Sequence, residues 1–329
     1  QNWLINNKNK IAQLIVSARE VNKFHGTFLS SIMKYQVNGR IHGEINQLRG
    51  DNGGTVSGRL SMSNPNLQQV PARNKDFGPK IRSLFIPEEG FKWGSFDYSQ
   101  QEPRMTVHYA ASIGDGYEGS NELVEAYQNA SADFHQTVAD LVGIERTQAK
   151  TIGLGLMYGM GKAKLAISLG VSKDEADELI IKYNKKVPFV KKLSDRCKYA
   201  ADEKGVIRTK KGRKCRFDMW ETRDFGLHTP EKYEDAVAKY GKDNIKRAYT
   251  YKALNRLIQG SSADQTKQSM LDCYEAGHLP MLQIHDELCF NVKDESHAKE
   301  IQKIMQDAIE FKVPSVVDYG LGESWGDAK

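Results

Sequence analysis

The sequence predicts an α+β fold, and three observations carry that prediction. Apolar runs of strand length stand at 81–97 and again at 281–292. Between 99 and 204 apolar positions recur at helical spacing over long stretches. The same spacing returns at 245–276 and 296–312. Strands, a helical block, then helix and hairpin is the order of an α+β chain with a helical insertion.

Taken in order, residues 1–50 read as an amphipathic helix followed by short extended segments. Gly50, Gly53, Gly54 and Gly58 mark turns around Asp51 and Asn52. The run 81–97 reads as two strands joined by a turn at Pro87-Glu88-Glu89-Gly90. Helices are expected at 99–112, 121–142 and 173–204, and at 145–169 with an interruption near Gly159-Met160-Gly161. A basic turn with Arg208, Lys210, Lys211, Arg213 and Lys214 separates two short strands, and the polar stretch 218–246 reads as a surface excursion. His285, Asp286 and Glu287 lie between two apolar runs, as the tip of a tight hairpin. No internal repeat or low-complexity tract interrupts this order.

The 329 residues leave room for two or three domains. With 39% hydrophobic and 27% charged residues, the composition is that of a soluble globular protein. No run approaches the roughly 18 apolar residues of a membrane span, and no signal peptide opens the chain. The first residue, Gln1 rather than Met, points to a sequence that starts inside a longer gene product or after processing. Cys197, Cys215, Cys273 and Cys289 form no CxxC pair and read as reduced structural thiols. The net charge of +5 permits a polyanionic partner without requiring one.

Asp97 ends a strand-like run just before a helix start, where it fits either a metal ligand or a helix cap. Asp286 has no helix following it. An acidic pair with Glu287 at an apolar hairpin tip costs desolvation unless a cation or donors face it. Two carboxylates that met could hold cations about 3.5–4 Å apart, the arrangement that clamps entering and leaving oxygens in phosphoryl transfer. Spacing alone leaves both readings open. In the next helix Arg146, Lys150 and Leu154 fall at spacings of four, with Tyr158 one step further on the same face. Two cations with no acid four residues away suit triphosphate oxygens, or simply a solvated charged face. Arg247, Tyr251, Asn255 and Gln259 repeat the spacing, which suits phosphate, base and sugar contacts or a polar helix face. Ser57-Gly58-Arg59-Leu60-Ser61 could set Arg59 on a backbone phosphate; alone it is only a turn.

Together, and in this order, these segments resemble DNA polymerase family A over nearly the whole chain. Residues 57–71 (SGRLSMSNPNLQQVP) resemble the family's TGRLSS…PNLQNIP segment. Residues 97–104 (DYSQQEPR) resemble motif A, usually DYSQIELR, in a version that looks phage-like. Residues 146–159 (RTQAKTIGLGLMYG) resemble motif B of the fingers helix, and 283–287 (QIHDE) resemble motif C, usually QVHDE. The tail 313–325, with Gly320, Gly322 and Trp325, is similar to the family's C-terminus.

The resemblance implies a right-hand architecture with an antiparallel-sheet palm, helical fingers and a thumb largely missing. Residues 1–56 would be the C-terminal remnant of the thumb, 57–111 the first part of the palm, 112–246 the fingers and 247–329 the second part of the palm. The implied activity is template-directed addition of deoxynucleotides to a primer 3′-OH by two-metal-ion phosphoryl transfer. Asp97, Asp286 and the Tyr98 carbonyl would hold two Mg²⁺ ions, or Mn²⁺, with Glu287 in support. Lys150 would be catalytic, as general acid on the departing pyrophosphate. Arg146 and His135 would hold the triphosphate and Gln100 would lie near the ribose and phosphates. Glu102, packed near Tyr158, would bar a ribose 2′-OH, with Leu154 beside the sugar. Arg59, Arg247, Tyr251, Asn255, Gln259 and His285 would touch nucleic acid. The implied partners are primer–template DNA and dNTPs, with an upstream nuclease domain or a processivity factor outside this chain. The implied location is the cytoplasm of a bacterium or phage-infected host, with an organelle as the alternative.

The chain departs from the family pattern at several points. Leu154 stands where the family has Phe or Tyr, and Pro103 replaces a Leu in motif A. Gly153 replaces an Asn, and together with Gly155 should loosen its helix by roughly 1 kcal/mol each relative to Ala. Residues 218–246 exceed what the family places there. Two rivals remain: a single-subunit RNA polymerase, against which Glu102 argues, and a non-catalytic DNA-binding fragment, against which the intact Asp97, Lys150 and Asp286 argue.

Overall fold

The computed structural model describes residues 4–328 apart from 5, 6, 8, 49, 51, 52, 72, 73, 75, 129–132, 225 and 227, so the turn expected at Asp51 and Asn52 lies outside the described residues. Four strands form the sheet on which the site is built: β1 (Lys92–Tyr98), β2 (Pro280–Ile284), β3 (Glu287–Val292) and β4 (Val317–Gly322). They pair antiparallel in the order β2-β3-β1-β4. The helices used below are α1 (Lys10–Lys23), α2 (Gln101–Ala111), α3 (Phe134–Val142), α4 (Arg146–Met157), α5 (Lys173–Lys186), α6 (Pro188–Lys204), α7 (Ala253–Glu275) and α8 (Glu295–Asp307).

Along β1, Trp93, Ser95 and Asp97 alternate with Gly94, Phe96 and Tyr98, the two-residue period of a strand. Phe96, Leu288, Phe290 and Val317 pack against Cys273 of α7 and Ile301 and Met305 of α8. On the opposite face Trp93, Ile284 and Cys289 meet Ile81, Trp325 and the aromatic turn after α1, Phe24 and Phe28. Burying each such side chain contributes about 1.5–3 kcal/mol, so the sheet is clamped from both sides. Register then follows: Asp97 lies level with Glu287 on one side and Asp318 on the other.

The middle of the chain is helical, as its periodicity requires. α2 to α6 enclose a second core around Phe134, Val138, Ile152, Tyr183, Phe189 and Leu193. Asp133 caps α3 by accepting the amides of His135 and Gln136. Ser172 and Glu175 cap α5 reciprocally. The stretch 173–204 is two helices and not one, because Val187 leaves the helical region ahead of Pro188.

Three other expectations change. The run 81–97 yields one strand, since Ile81 and Arg82 close a short helix, Gly78–Arg82, with Pro79 in its first turn. The apolar residues there cover the sheet's face and do not join it. The stretch 245–276 also splits: Ile245–Arg247 is a strand paired with Trp220–Thr222, and Tyr249, at φ 63°, separates it from α7. Within the excursion the helix Tyr233–Tyr240 packs on this strand pair, setting the Tyr233 ring edge-on to Trp220 at 5.0 Å. Finally, Gly153 and Gly155 admit neighbours as well as costing helix propensity. A Cβ at 153 would stand 3.3 Å from the Tyr183 hydroxyl, and one at 155 would stand 3.2 Å from Met160 Sδ.

Gly94 is the tightest point of the sheet. A Cβ there would meet Val292 Cγ2 at 2.4 Å and the Phe96 ring at 2.8 Å. Gly94→Ala should therefore destabilise the fold by about 1–3 kcal/mol through overpacking, seen as a lower urea midpoint. A midpoint equal to wild type would mean that the layer is loose enough to absorb a methyl group.

Candidate active site

The β2–β3 hairpin carries Asp286 back to the end of β1. His285 takes the turn's left-handed position, at φ 58°. Gln283 Nε2 donates to the His285 carbonyl at 2.6 Å, and Gln68 Nε2 donates to Gln283 Oε1 at 2.8 Å. The Tyr98 amide donates to the Asp286 carbonyl at 3.5 Å, so the two motif aspartates sit on adjacent, bonded segments. The Tyr98 side chain turns the other way, its hydroxyl held by Ser269 and the Met305 carbonyl, and only its backbone borders the site.

Four carboxylates crowd this end of the sheet. Burial, then the charges of Asp286, Glu287 and Asp318, push the Asp97 carboxyl up to about 7. Its side chain still reaches solvent at the rim, where water screens part of that effect. Burial also raises Asp286, with Arg59 and His285 partly offsetting it. Such a pair is short of positive charge, which is what a divalent cation would bring. Among the described residues no group of three or more His, Cys, Asp or Glu side chains converges as a cage.

Glu102 is the junction of three segments. Gln100, at φ 52°, turns the chain off β1 into α2 and leaves Glu102 in the first helical turn. Arg59 pairs with it at 2.7 Å, and the Tyr158 hydroxyl at the end of α4 donates to its other oxygen. The Gln259 side chain of α7 is hydrogen-bonded to that same hydroxyl. Arg59, Glu102, Tyr158 and Gln259, four of the residues read from separate motifs, therefore meet.

On α4, Arg146 and Lys150 are exposed and Leu154 and Tyr158 half-buried, so the face is open as expected. Arg146 is not free, however. Asp133 bridges it at 2.6 Å from a different helix, a partner that a search of neighbouring helix positions misses. His135 is 4% exposed, and among the described residues its buried Nδ1 has no hydrogen-bond partner. Burial, followed by the charges of Lys150 and Arg146, lowers its pKa to about 4 against the pull of Asp133, so it is a neutral hydrogen-bonding ring at pH 7. Gln100 Oε1 accepts from the Phe134 amide at 2.9 Å, which ties the end of β1 to the start of α3.

The second cationic strip does not survive as a helix face. Only Asn255 and Gln259 lie on α7. Arg247 belongs to the excursion, donating to the Phe217 carbonyl at 2.9 Å and stacking over Trp220 at 4.6 Å. Tyr251 is exposed in the turn before α7, against Gly159. The spacing of four ran on through the break at Tyr249, which is why it misled. His285 is exposed at the hairpin tip. The sequence reading missed Asp318 and Asp133. The alternation Val317-Asp318-Tyr319 marks a strand and could have flagged the first, and the N-cap position before α3 could have flagged the second.

The raised Asp97 pKa sets the sign of a pH dependence. Between about pH 4 and 7 the folded chain keeps a proton that the unfolded chain has released. The contribution of this group to stability is therefore full below about pH 4 and is lost as pH rises through about 7. In EDTA, Asp97→Asn should raise the melting temperature at pH 8 and raise it much less at pH 4. Added divalent cation should narrow the difference. Equal melting curves at pH 8 would show that the carboxylates are not crowded.

The comparisons with known proteins point to one family. The model of DNA polymerase family A matches residues 2–327. A DNA-directed DNA polymerase of Pseudomonas phage M6 is 40% identical over 96% of this chain and 51% of its own length. DNA polymerase I of Geobacillus stearothermophilus is 30% identical over 98% of this chain and 35% of its own. Among solved structures, the POL domain of Pol1 from M. smegmatis, in complex with DNA primer-template and dNTP, superposes with a TM-score of 0.77. It is 27% identical, and the match covers 96% of this chain and 53% of that one. The chain thus spans about half, or less, of the length of these relatives. With the family model matching residues 2–327 and a phage DNA polymerase 40% identical over 96% of the chain, the chain belongs to DNA polymerase family A.

Proposed function

We propose that this chain is the core of a template-directed DNA polymerase, which joins a primer 3′-OH to the α-phosphate of a deoxynucleoside triphosphate and releases pyrophosphate. The observation that carries the reading is the meeting of Asp97 and Asp286 at the sheet end, beside Glu102 held by Arg59 and Tyr158. Residues 57–111 and 247–329 act as palm, 112–246 as fingers and 1–56 as the end of a thumb, although position 247 falls within the strand Ile245–Arg247. Primer–template DNA and dNTPs are the substrates, in the cytoplasm of a bacterium or phage-infected cell. Among the described residues no helix is long and apolar enough to cross a membrane.

Asp97, Asp286 and the Tyr98 carbonyl would hold two Mg²⁺ ions, whose charge, when bound, lowers the pKa of the attacking hydroxyl and neutralises the leaving phosphates. The remaining work belongs to side chains of the chain. Arg146 and Lys150 meet the triphosphate, with Lys150 placed to protonate the pyrophosphate oxygen as it leaves. His135, neutral, contributes a hydrogen bond and no charge. Gln100, anchored on α3, sits between ribose and phosphates. Leu154 offers the sugar a smaller wall than a ring would. Arg59, Asn255, Gln259, His285 and Tyr251 face the primer–template. Arg247 belongs to the same surface through the excursion.

Asp97→Asn and Asp286→Asn should each lower single-turnover primer extension by several orders of magnitude and leave DNA binding in a gel shift within a few-fold of wild type. A variant that retained a tenth of the wild-type rate would remove its aspartate from the mechanism. The network around Glu102 has its own signature. Glu102→Ala opens the space that a ribose 2′-OH needs and releases Arg59 and Tyr158, so ribonucleotide incorporation should rise relative to deoxyribonucleotide. Unchanged sugar selectivity would place the barrier elsewhere.

A further inference from the structure

Behind the acidic cluster lies a buried pair of residues, Trp325 and Arg82, that the reaction as written does not use. Glu287 is level with Asp97 across the β3–β1 pairing, so both side chains leave the same face of the sheet. Asp318 flanks Asp97 on the other side, and a free Glu287 would add a further ligand for a cation at Asp97. Its Oε1 instead accepts from Trp325 Nε1 at 3.3 Å and from the Cys289 thiol at 3.5 Å.

Trp325 is in no position to move. It is fully buried, stacked on Trp93 at 6.0 Å and edge-on to Phe85 at 5.6 Å, with its amide bonded to the Phe85 carbonyl at 2.9 Å. Arg82, 7% exposed, lies over its ring at 4.3 Å. Among the described residues Arg82 Nε finds no hydrogen-bond partner. Burial lowers the Arg82 pKa, and the charge of Glu287 is the main force opposing that. A buried cation needs such a countercharge. Glu287 is therefore drawn backward by a hydrogen bond and by a fixed positive charge.

We propose that Trp325 and Arg82 are positioning residues that hold the Glu287 carboxylate back from the Asp97–Asp286 pair, so that it does not join them as a further ligand for the cations. The inference rests on the reading of Asp97 and Asp286 given above. A further carboxylate would bind a divalent cation more tightly, since affinity rises with ligand charge. It would also occupy coordination positions that primer and phosphate oxygens need. The tether thus gives up metal affinity for turnover.

The test is Mn²⁺ binding to the full 329-residue chain without DNA or nucleotide, followed by the electron paramagnetic resonance signal of the free ion. Trp325→Phe keeps a ring and loses only the donor side of the indole. It should bind Mn²⁺ roughly three- to tenfold more tightly, while kcat for single-nucleotide insertion falls and KM for dNTP stays. Adding Glu287→Gln to Trp325→Phe should return Mn²⁺ affinity to that of Glu287→Gln alone. A general loss of structure would weaken binding instead. Unchanged or weaker Mn²⁺ binding in folded Trp325→Phe overturns the proposal. If that variant does not fold, Arg82→Gln, which removes the countercharge to Glu287 and leaves the indole donor, is held to the same criterion. Wild-type binding that survives Asp286→Asn would overturn the aspartate reading, and this inference with it. Binding that is lost in Asp286→Asn but indifferent to Trp325→Phe fails this inference alone.

Discussion

Mutual repulsion among carboxylates is the constraint around which the catalytic end of this chain is arranged. Asp97, Asp286, Glu287 and Asp318 would separate if their strands could slide or splay. Antiparallel pairing on both sides of β1 forbids sliding, because a shift of one residue would turn Phe96 and Tyr98 out of their apolar layer. Splaying is opposed by the packing on both faces of the sheet, with α7 and α8 on one side and the Trp93–Trp325 layer on the other. Apolar packing well away from the charges is therefore what keeps them together.

The same logic explains why Glu102 is so heavily engaged. It stands one helical turn from the acidic cluster and would add to the repulsion there. Arg59 supplies a cation, and that cation also lies close enough to lower the Asp286 carboxyl. The Tyr158 hydroxyl takes up the remaining oxygen and links the end of α4 to α2. Through Tyr158 and Gln259, the helix bearing Arg146 and Lys150 is referenced to both α2 and α7. A displacement of α4 is thus felt at Glu102 before it reaches the aspartates.

Much of this was legible in the sequence because the relevant residues are close neighbours along it. Asp97 and Glu102 share one strand-to-helix passage, and Asp286 occupies a hairpin tip that its flanking apolar runs announce. The helical block and its break at Gly159 follow from periodicity. What escaped was set by partners distant in the chain. Asp133 reaches Arg146 over the length of α3, Trp325 reaches Glu287 across the C-terminal segment, and Asp318 joins the cluster only once β4 pairs with β1. Arg247 was assigned to α7 because spacing alone cannot register the left-handed residue at Tyr249. Ile81 was assigned to a strand because an apolar residue covering a sheet looks, in sequence, like one inside it.

The Arg146–Asp133 bridge has a consequence for anything negatively charged that enters the cleft. Since Asp133 already occupies the guanidinium at 2.6 Å, an incoming anion does not simply add to an empty cation. One that approaches the Nε and Nη2 edge must take the place of a carboxylate that is itself held by two backbone amides at the start of α3. Association there is an exchange of counterions. A singly charged anion replaces like with like and gains little. An anion that also engages Lys150, one turn further along α4, gains a second contact for the same displacement. The bridge is in effect a filter on the valence of the entering group.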